Sequence, residues 1–168
     1  MKNTIANGLQ NVLIVGGGRM GQAIAQGILR IDGVSADNLT VANPGREKRE
    51  HIAAELGVRT VASASAGMPA SCVILAVKPA KVPEVCAELV DAGIDAATLV
   101  ISIAAGVSTS KISYVLGADV PVVRVMPNTP ALVGAGFTAL CEENSFSKAS
   151  LGWAKELFST LGVVQVLP

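Results

Sequence analysis

Gly16, Gly18 and Gly21 stand at the spacing G-x-G-x-x-G within residues 11–21, NVLIVGGGRMG. A turn of this kind can hold a diphosphate. Gly16 lets the chain reverse sharply, Gly18 puts no Cβ between backbone and phosphate, and Gly21 lets the following helix lie close to the strand. The unpaired N–H groups at the helix start, helped by the helix dipole, would face the anion. The flanks give the spacing its meaning: Val12 to Val15 form an apolar run before the glycines, and Gly21, Ile24, Ala25 and Ile28 follow at helical intervals. The chemistry expected here is dinucleotide binding.

The next strand end bears on which dinucleotide. An NAD site usually carries Asp or Glu about 20 residues past the glycine turn, to hold the ribose 2′-OH. Here the strand ends at Asn43, followed by Pro44, Gly45 and Arg46, with Lys48 and Arg49 beyond. A carboxylate would repel a 2′-phosphate, whereas an amide and a guanidinium would bind one. NADP(H) is therefore expected over NAD(H). Further along, Lys78 ends an apolar run beside Pro79. Its cation could meet a phosphate, a ribose or a substrate carboxylate, or be a plain surface lysine. Asn128 lies between Pro127 and Pro130, whose fixed φ angles limit the turn. Its amide suits a nicotinamide carboxamide or a ring nitrogen. Lys78 and Asn128 are positioning candidates only. No catalytic acid is assigned, because His51 lies in a charged helical segment and no carboxylate pair ends a strand.

The elements that must place these residues alternate between strand and helix. Strands are expected at 12–15, 39–42, 58–61, 72–77, 99–103, 122–125, 136–141 and 163–166. Helices are expected after Gly21 and at 46–56, 81–90, 109–116 and 147–161. Gly57 and Gly162 suit helix ends, and Ser108 is a credible N-cap. Residues 63–71 read as a small-residue loop with room for a helical turn. The fold class is α/β: a Rossmann-like, doubly wound, mostly parallel sheet with helices on both faces, forming one domain over residues 1–168 with 1–10 flexible. In such sheets ligands bind at the carboxyl ends of the strands, which makes the residues after each strand the site map.

Composition limits the partners. The chain has 13 basic and 13 acidic residues and a formal charge of zero, so it offers no basic field for nucleic acid or an anionic membrane. Aromatics at 3 % leave little surface for base stacking. No apolar run nears the ~20 residues of a membrane span. The first ten residues lack the apolar centre of a signal peptide. Cys72, Cys86 and Cys141 are odd in number and widely spaced, which fits reduced thiols better than disulfides or a zinc site; no metal is expected.

The stretches GGGRMGQAIAQG, LAVKP, ISIAAGVS and RVMPNTPALVGAG, in this order, closely resemble the N-terminal half of the pyrroline-5-carboxylate reductases, over essentially the whole chain from Val12 to Val166. LAVKP and MPNTP are the distinctive pieces. The resemblance implies NAD(P)H-dependent reduction of the C=N bond of 1-pyrroline-5-carboxylate to L-proline, in the cytoplasm. It implies a cofactor lying on Val15, Gly16, Gly17, Gly18, Arg19, Met20 and Gly21, then on Asn43, Arg46 and Ser63. Ala76, Val77, Lys78 and Pro79 would follow, then Ile103, Ala104 and Ala105, with Asn128 near the nicotinamide end. It also implies a homo-oligomer built through a C-terminal helical domain that carries substrate groups and that this sequence does not contain. The 168-residue chain is thus expected to bind cofactor with little turnover, and apolar residues around 163–167 to favour association. The alternatives are a related NADP-dependent imine or hydroxy-acid reductase, or an NADP-binding module without catalysis.

Overall fold

The computed structural model describes residues 10–141 and 148–168. The expectations for the first ten residues, other than Gln10, and for Ser147 as the start of the last helix lie outside the described residues.

Among the described residues, eight strands form one sheet: β1 (Val12–Val15), β2 (Leu39–Ala42), β3 (Arg59–Val61), β4 (Cys72–Leu75), β5 (Leu99–Ser102), β6 (Val122–Pro127), β7 (Gly136–Cys141) and β8 (Gly162–Leu167). The α-helices among the described residues are α1 (Arg19–Ile28), α2 (Arg46–Leu56), α3 (Val82–Asp91), α4 (Thr109–Leu116) and α5 (Lys148–Ser159). The spatial order is β3-β2-β1-β4-β5-β6-β7-β8. The first six strands run parallel, β7 runs antiparallel to β6, and β8 runs parallel to β7. The chain builds outward from β1 to β3 and then returns to β4 on the other side of β1. That reversal opens a crevice beyond the carboxyl ends of β1 and β4.

The central strands are buried on both faces, which is why they read as unbroken apolar runs. Alternation then sorts them into two cores. Val12, Ile14, Cys72 and Ile74 pack with Ile24, Ile28, Ile52 and Phe158 of α1, α2 and α5. Leu13, Val15, Val73 and Leu75 pack with Val85, Cys86, Leu89 and Ile112 of α3 and α4. Cys72 and Cys86 are core residues, and burial raises both thiols above their ordinary range, Cys86 to about 11. Helix punctuation follows the expected chemistry at two ends, whereas the last helix stops at Ser159, short of 161, and Gly162 opens β8 instead of ending that helix. Gly57 ends α2 in the left-handed conformation, and Ser108 Oγ accepts the Lys111 N–H at the start of α4.

The strand expected at 122–125 continues through Pro127, because β7 pairs with Val125, Met126 and Pro127. Residues 128–135 are too few to carry a crossover helix, so the next strand must return antiparallel. On the side of β7 and β8 away from α5, Phe137 faces Val163 in register, and both are exposed, as is Leu167.

Candidate functional site

Local geometry at β1–α1 shows why each glycine is there. Gly16 has φ of +114°, and a Cβ on it would overlap the Ala76 carbonyl at the end of β4. Its N–H donates to Ala42 O at 2.9 Å. A Cβ on Gly21 would overlap the Gly16 carbonyl, so the start of α1 can sit on the turn only without a side chain at that position. Gly17 is held on both sides: its N–H donates to Asn43 Oδ1 at 3.3 Å, and its carbonyl accepts Gln22 Nε2 at 2.8 Å. Gly18 differs. It is the N-cap of α1, with no side-chain cap, and the space where its Cβ would project is open. The helix start therefore presents uncapped amide dipoles beside a bare backbone.

That open space belongs to a cleft of about 590 Å³ at the carboxyl ends of β1 to β4. Val15, Gly16, Gly17 and Gly18 line one side, Asn43 and Pro44 the next, Ser63 with its neighbours a third, and Ala76, Val77 and the exposed Lys78 a fourth. α3 closes it with Lys81, Glu84, Val85 and Glu88.

Asn43 is bonded at every polar group. Its N–H donates to Val61 O at 2.9 Å, its Oδ1 takes the Gly17 N–H, its Nδ2 donates to Gly45 O at 3.4 Å, and its carbonyl accepts Arg49 Nη1 at 2.9 Å. Arg46 is highly exposed, and its Nε meets Glu50 Oε1 at 2.7 Å. A surface pair of this kind contributes little and opens readily.

Ser63 sits in a small polar latch. The N–H and hydroxyl of Ser65 both donate to Glu88 Oε1, at 2.9 and 2.8 Å, and Ser63 Oγ lies 3.1 Å from Ser65 Oγ. Partial burial pushes the Glu88 carboxyl upward, but the hydrogen bonds from Ser65 and Ser63 outweigh it and hold the group below its ordinary value of 4.5. A carboxyl depressed in the folded state supports the fold fully above its unfolded value and loses that support as pH falls through the folded value. The Ser65 amide shift should therefore titrate with a midpoint below 4.5, and Glu88→Gln should abolish that titration. A midpoint above 4.5 for the wild type would contradict the latch.

Nine of the residues expected at the cofactor line this cleft: Val15, Gly16, Gly17, Gly18, Asn43, Ser63, Ala76, Val77 and Lys78. Arg19 and Met20 begin α1 beside it, and Gly21 lies beneath the turn. Arg46 and Pro79 are exposed next to the lining residues Pro44 and Lys78. Ile103, Ala104 and Ala105 follow β5, with Ala104 packed in the α3–α4 core, and they do not line the cleft. Asn128 follows β6 outside it, with its Oδ1 accepting the Phe137 N–H at 2.8 Å. The α3 wall is absent from the sequence reading. Its signal was the helical stripe at 81, 84, 85 and 88, which borders the core stripe of Val82, Cys86 and Leu89 and shares Val85 with it. Among the described residues, no three His, Cys, Asp or Glu side chains gather as a metal site, and no helix is long and apolar enough to cross a membrane.

The resemblance carried by the motifs extends over nearly the whole chain. A pyrroline-5-carboxylate reductase of Pasteurella multocida is 38 % identical over 159 residues, covering 91 % of this chain and 56 % of that protein. The structure of a pyrroline-5-carboxylate reductase from Coxiella burnetii superposes with a TM-score of 0.88 at 33 % identity, covering 95 % of this chain and 59 % of that one. The fold is also that of the Plasmodium falciparum pyrroline carboxylate reductase solved with NADP bound, at a TM-score of 0.80 and 24 % identity. The chain thus spans little more than half the length of these relatives. A family model described as NADP oxidoreductase coenzyme F420-dependent matches residues 11–106. With the glycine turn and the first five strands inside that match, the chain belongs to this NADP oxidoreductase family.

Proposed function

We propose that this chain is the dinucleotide-binding part of a pyrroline-5-carboxylate reductase, a cytoplasmic homo-oligomeric enzyme that reduces the C=N bond of 1-pyrroline-5-carboxylate to L-proline with NADPH. One observation carries the reading: the backbone at Gly18 is bare and open to the cleft above an uncapped helix start, while Gly17 on one side is locked by Asn43 and Gln22. The arrangement fits a diphosphate, with amide donors in place before the anion arrives. The identity to named pyrroline-5-carboxylate reductases supports the substrate, and three free cysteines support a reducing compartment.

In this reading the chain's own groups bind and orient. The α1 start and Gly18 hold the diphosphate, and the exposed Lys78 adds a cation to the lining of the cleft. Arg46, released from Glu50, meets a 2′-phosphate at the mouth. With Asn128 Oδ1 committed to Phe137, any bond to the nicotinamide carboxamide falls to Nδ2. The nicotinamide supplies a hydride when bound. A protonated imine is already electrophilic, so the chain needs no strong acid of its own.

Titration by NADPH fluorescence tests the cofactor half of the proposal. The wild type should bind NADPH about tenfold or more tightly than NADH, and Arg46→Ala should remove most of that ratio by weakening NADPH alone. Equal affinities in the wild type would remove the NADP preference. Comparing NADPH oxidation with 1-pyrroline-5-carboxylate, hydroxy acids and other imines tests the substrate half.

A further inference from the structure

Arg49 belongs to the basic group that follows Asn43, and by residue type alone it is a 2′-phosphate ligand. Its contacts point elsewhere. Arg49 is half-buried in the first turn of α2, and its Nη1 donates to two backbone carbonyls, Asn43 O at 2.9 Å and Pro44 O at 2.7 Å. Both carbonyls belong to the turn that forms one wall of the cleft. The same Asn43 reaches across to the Gly17 N–H. Arg49, the Asn43 turn and the glycine turn are therefore one connected chain of hydrogen bonds, anchored by a charged donor of the stronger class. Arg46, three residues earlier, joins none of this and stays in solvent with Glu50.

We propose that Arg49 is a positioning residue: it fixes the Asn43–Pro44 turn and, through Asn43, the Gly17 amide, so that both walls of the cleft are set before a dinucleotide binds. The proposal rests on the reading of the cleft as a dinucleotide site. Without the guanidinium, two carbonyls lose their donor and the turn must be ordered by the ligand itself. That ordering cost falls equally on cofactors with and without a 2′-phosphate.

The test uses the full chain with Arg49→Met, Arg49→Lys and Arg46→Ala, read by NADPH and NADH affinity and by amide hydrogen exchange at Gly17 in the free protein. Arg49→Met should weaken both cofactors by about tenfold, keep their ratio within about twofold, and speed Gly17 exchange by about tenfold. Arg49→Lys should show the same pattern at smaller amplitude, and it decides the matter by the same readouts if the Met variant does not fold. Arg46→Ala should leave Gly17 exchange unchanged. Loss of NADPH affinity alone would make Arg49 a phosphate ligand and overturn the proposal, as would unchanged Gly17 exchange in the Arg49 variants. Were the wild type to bind neither cofactor, the dinucleotide reading would fall, while Gly17 exchange would still decide whether Arg49 positions the turn.

Discussion

Gly18→Val should weaken NADPH binding by about a hundredfold while leaving the fold in place. Gly18 has φ of −71° and ψ of −175°, which any L-residue adopts, and a Cβ there meets nothing within 4 Å. The protein therefore has no internal objection to the side chain. Valine is a poor N-cap, so a cost of about 1 kcal/mol is expected, or about 2–4 °C in melting temperature. The ligand would meet a different situation, because the new methyl groups occupy the approach of a phosphate to the helix start. Losing one or two charge-assisted bonds of about 1.5–3 kcal/mol each gives the hundredfold loss. Calorimetric titration and thermal melting measure the two effects separately. A valine variant that binds NADPH like the wild type would show that the cleft does not seat the diphosphate.

Gly16→Ala should do the reverse, acting first on the fold. The residue sits at φ of +114°, outside the regions open to alanine, and its Cβ would overlap the Ala76 carbonyl. Backbone strain and overpacking of about 1–3 kcal/mol each together predict a melting temperature lower by about 10 °C. Cofactor binding should be lost as a consequence, since the reversal that aims Gly17 and Gly18 at the cleft cannot form. An unchanged melting temperature would mean that the turn has a geometry other than the one described. Two glycines two positions apart thus separate folding from ligand recognition.

Much of this was legible in the chain itself. Parallel strands buried on both faces must be apolar throughout, so VLIV and CVIL announced themselves, and their alternation with helical stripes fixed the fold class. The crevice followed from topology alone. What spacing could not show is where a polar side chain spends its hydrogen bonds. Asn43 and Arg49 have the types that suit a 2′-phosphate, yet in the fold their donors serve carbonyls of the chain. Likewise the Asn128 Oδ1 is consumed by Phe137, a residue nine positions away. The direction of β7 depended on the length of a connection, which the apolar pattern of Gly136–Cys141 does not carry. The wall formed by α3 is not legible in the chain, because Lys81, Glu84 and Glu88 have the charge and spacing of any solvated helix face.

The antiparallel step at β7 turns the last two strands back along the sheet. β1 to β6 discharge at the edge that carries the cleft, whereas β7 and β8 run the other way, and the register brings the ends of both, Cys141 beside Leu167, back to the level of Arg124, Ser102, Leu75 and Val15. Four strand spacings of about 4.8 Å place Cys141 roughly 20 Å to the side of the glycine turn. A fluorophore on the Cys141 thiol would sit at the flank of the sheet, beside the cleft in height but four strands away from it, and leave its mouth clear.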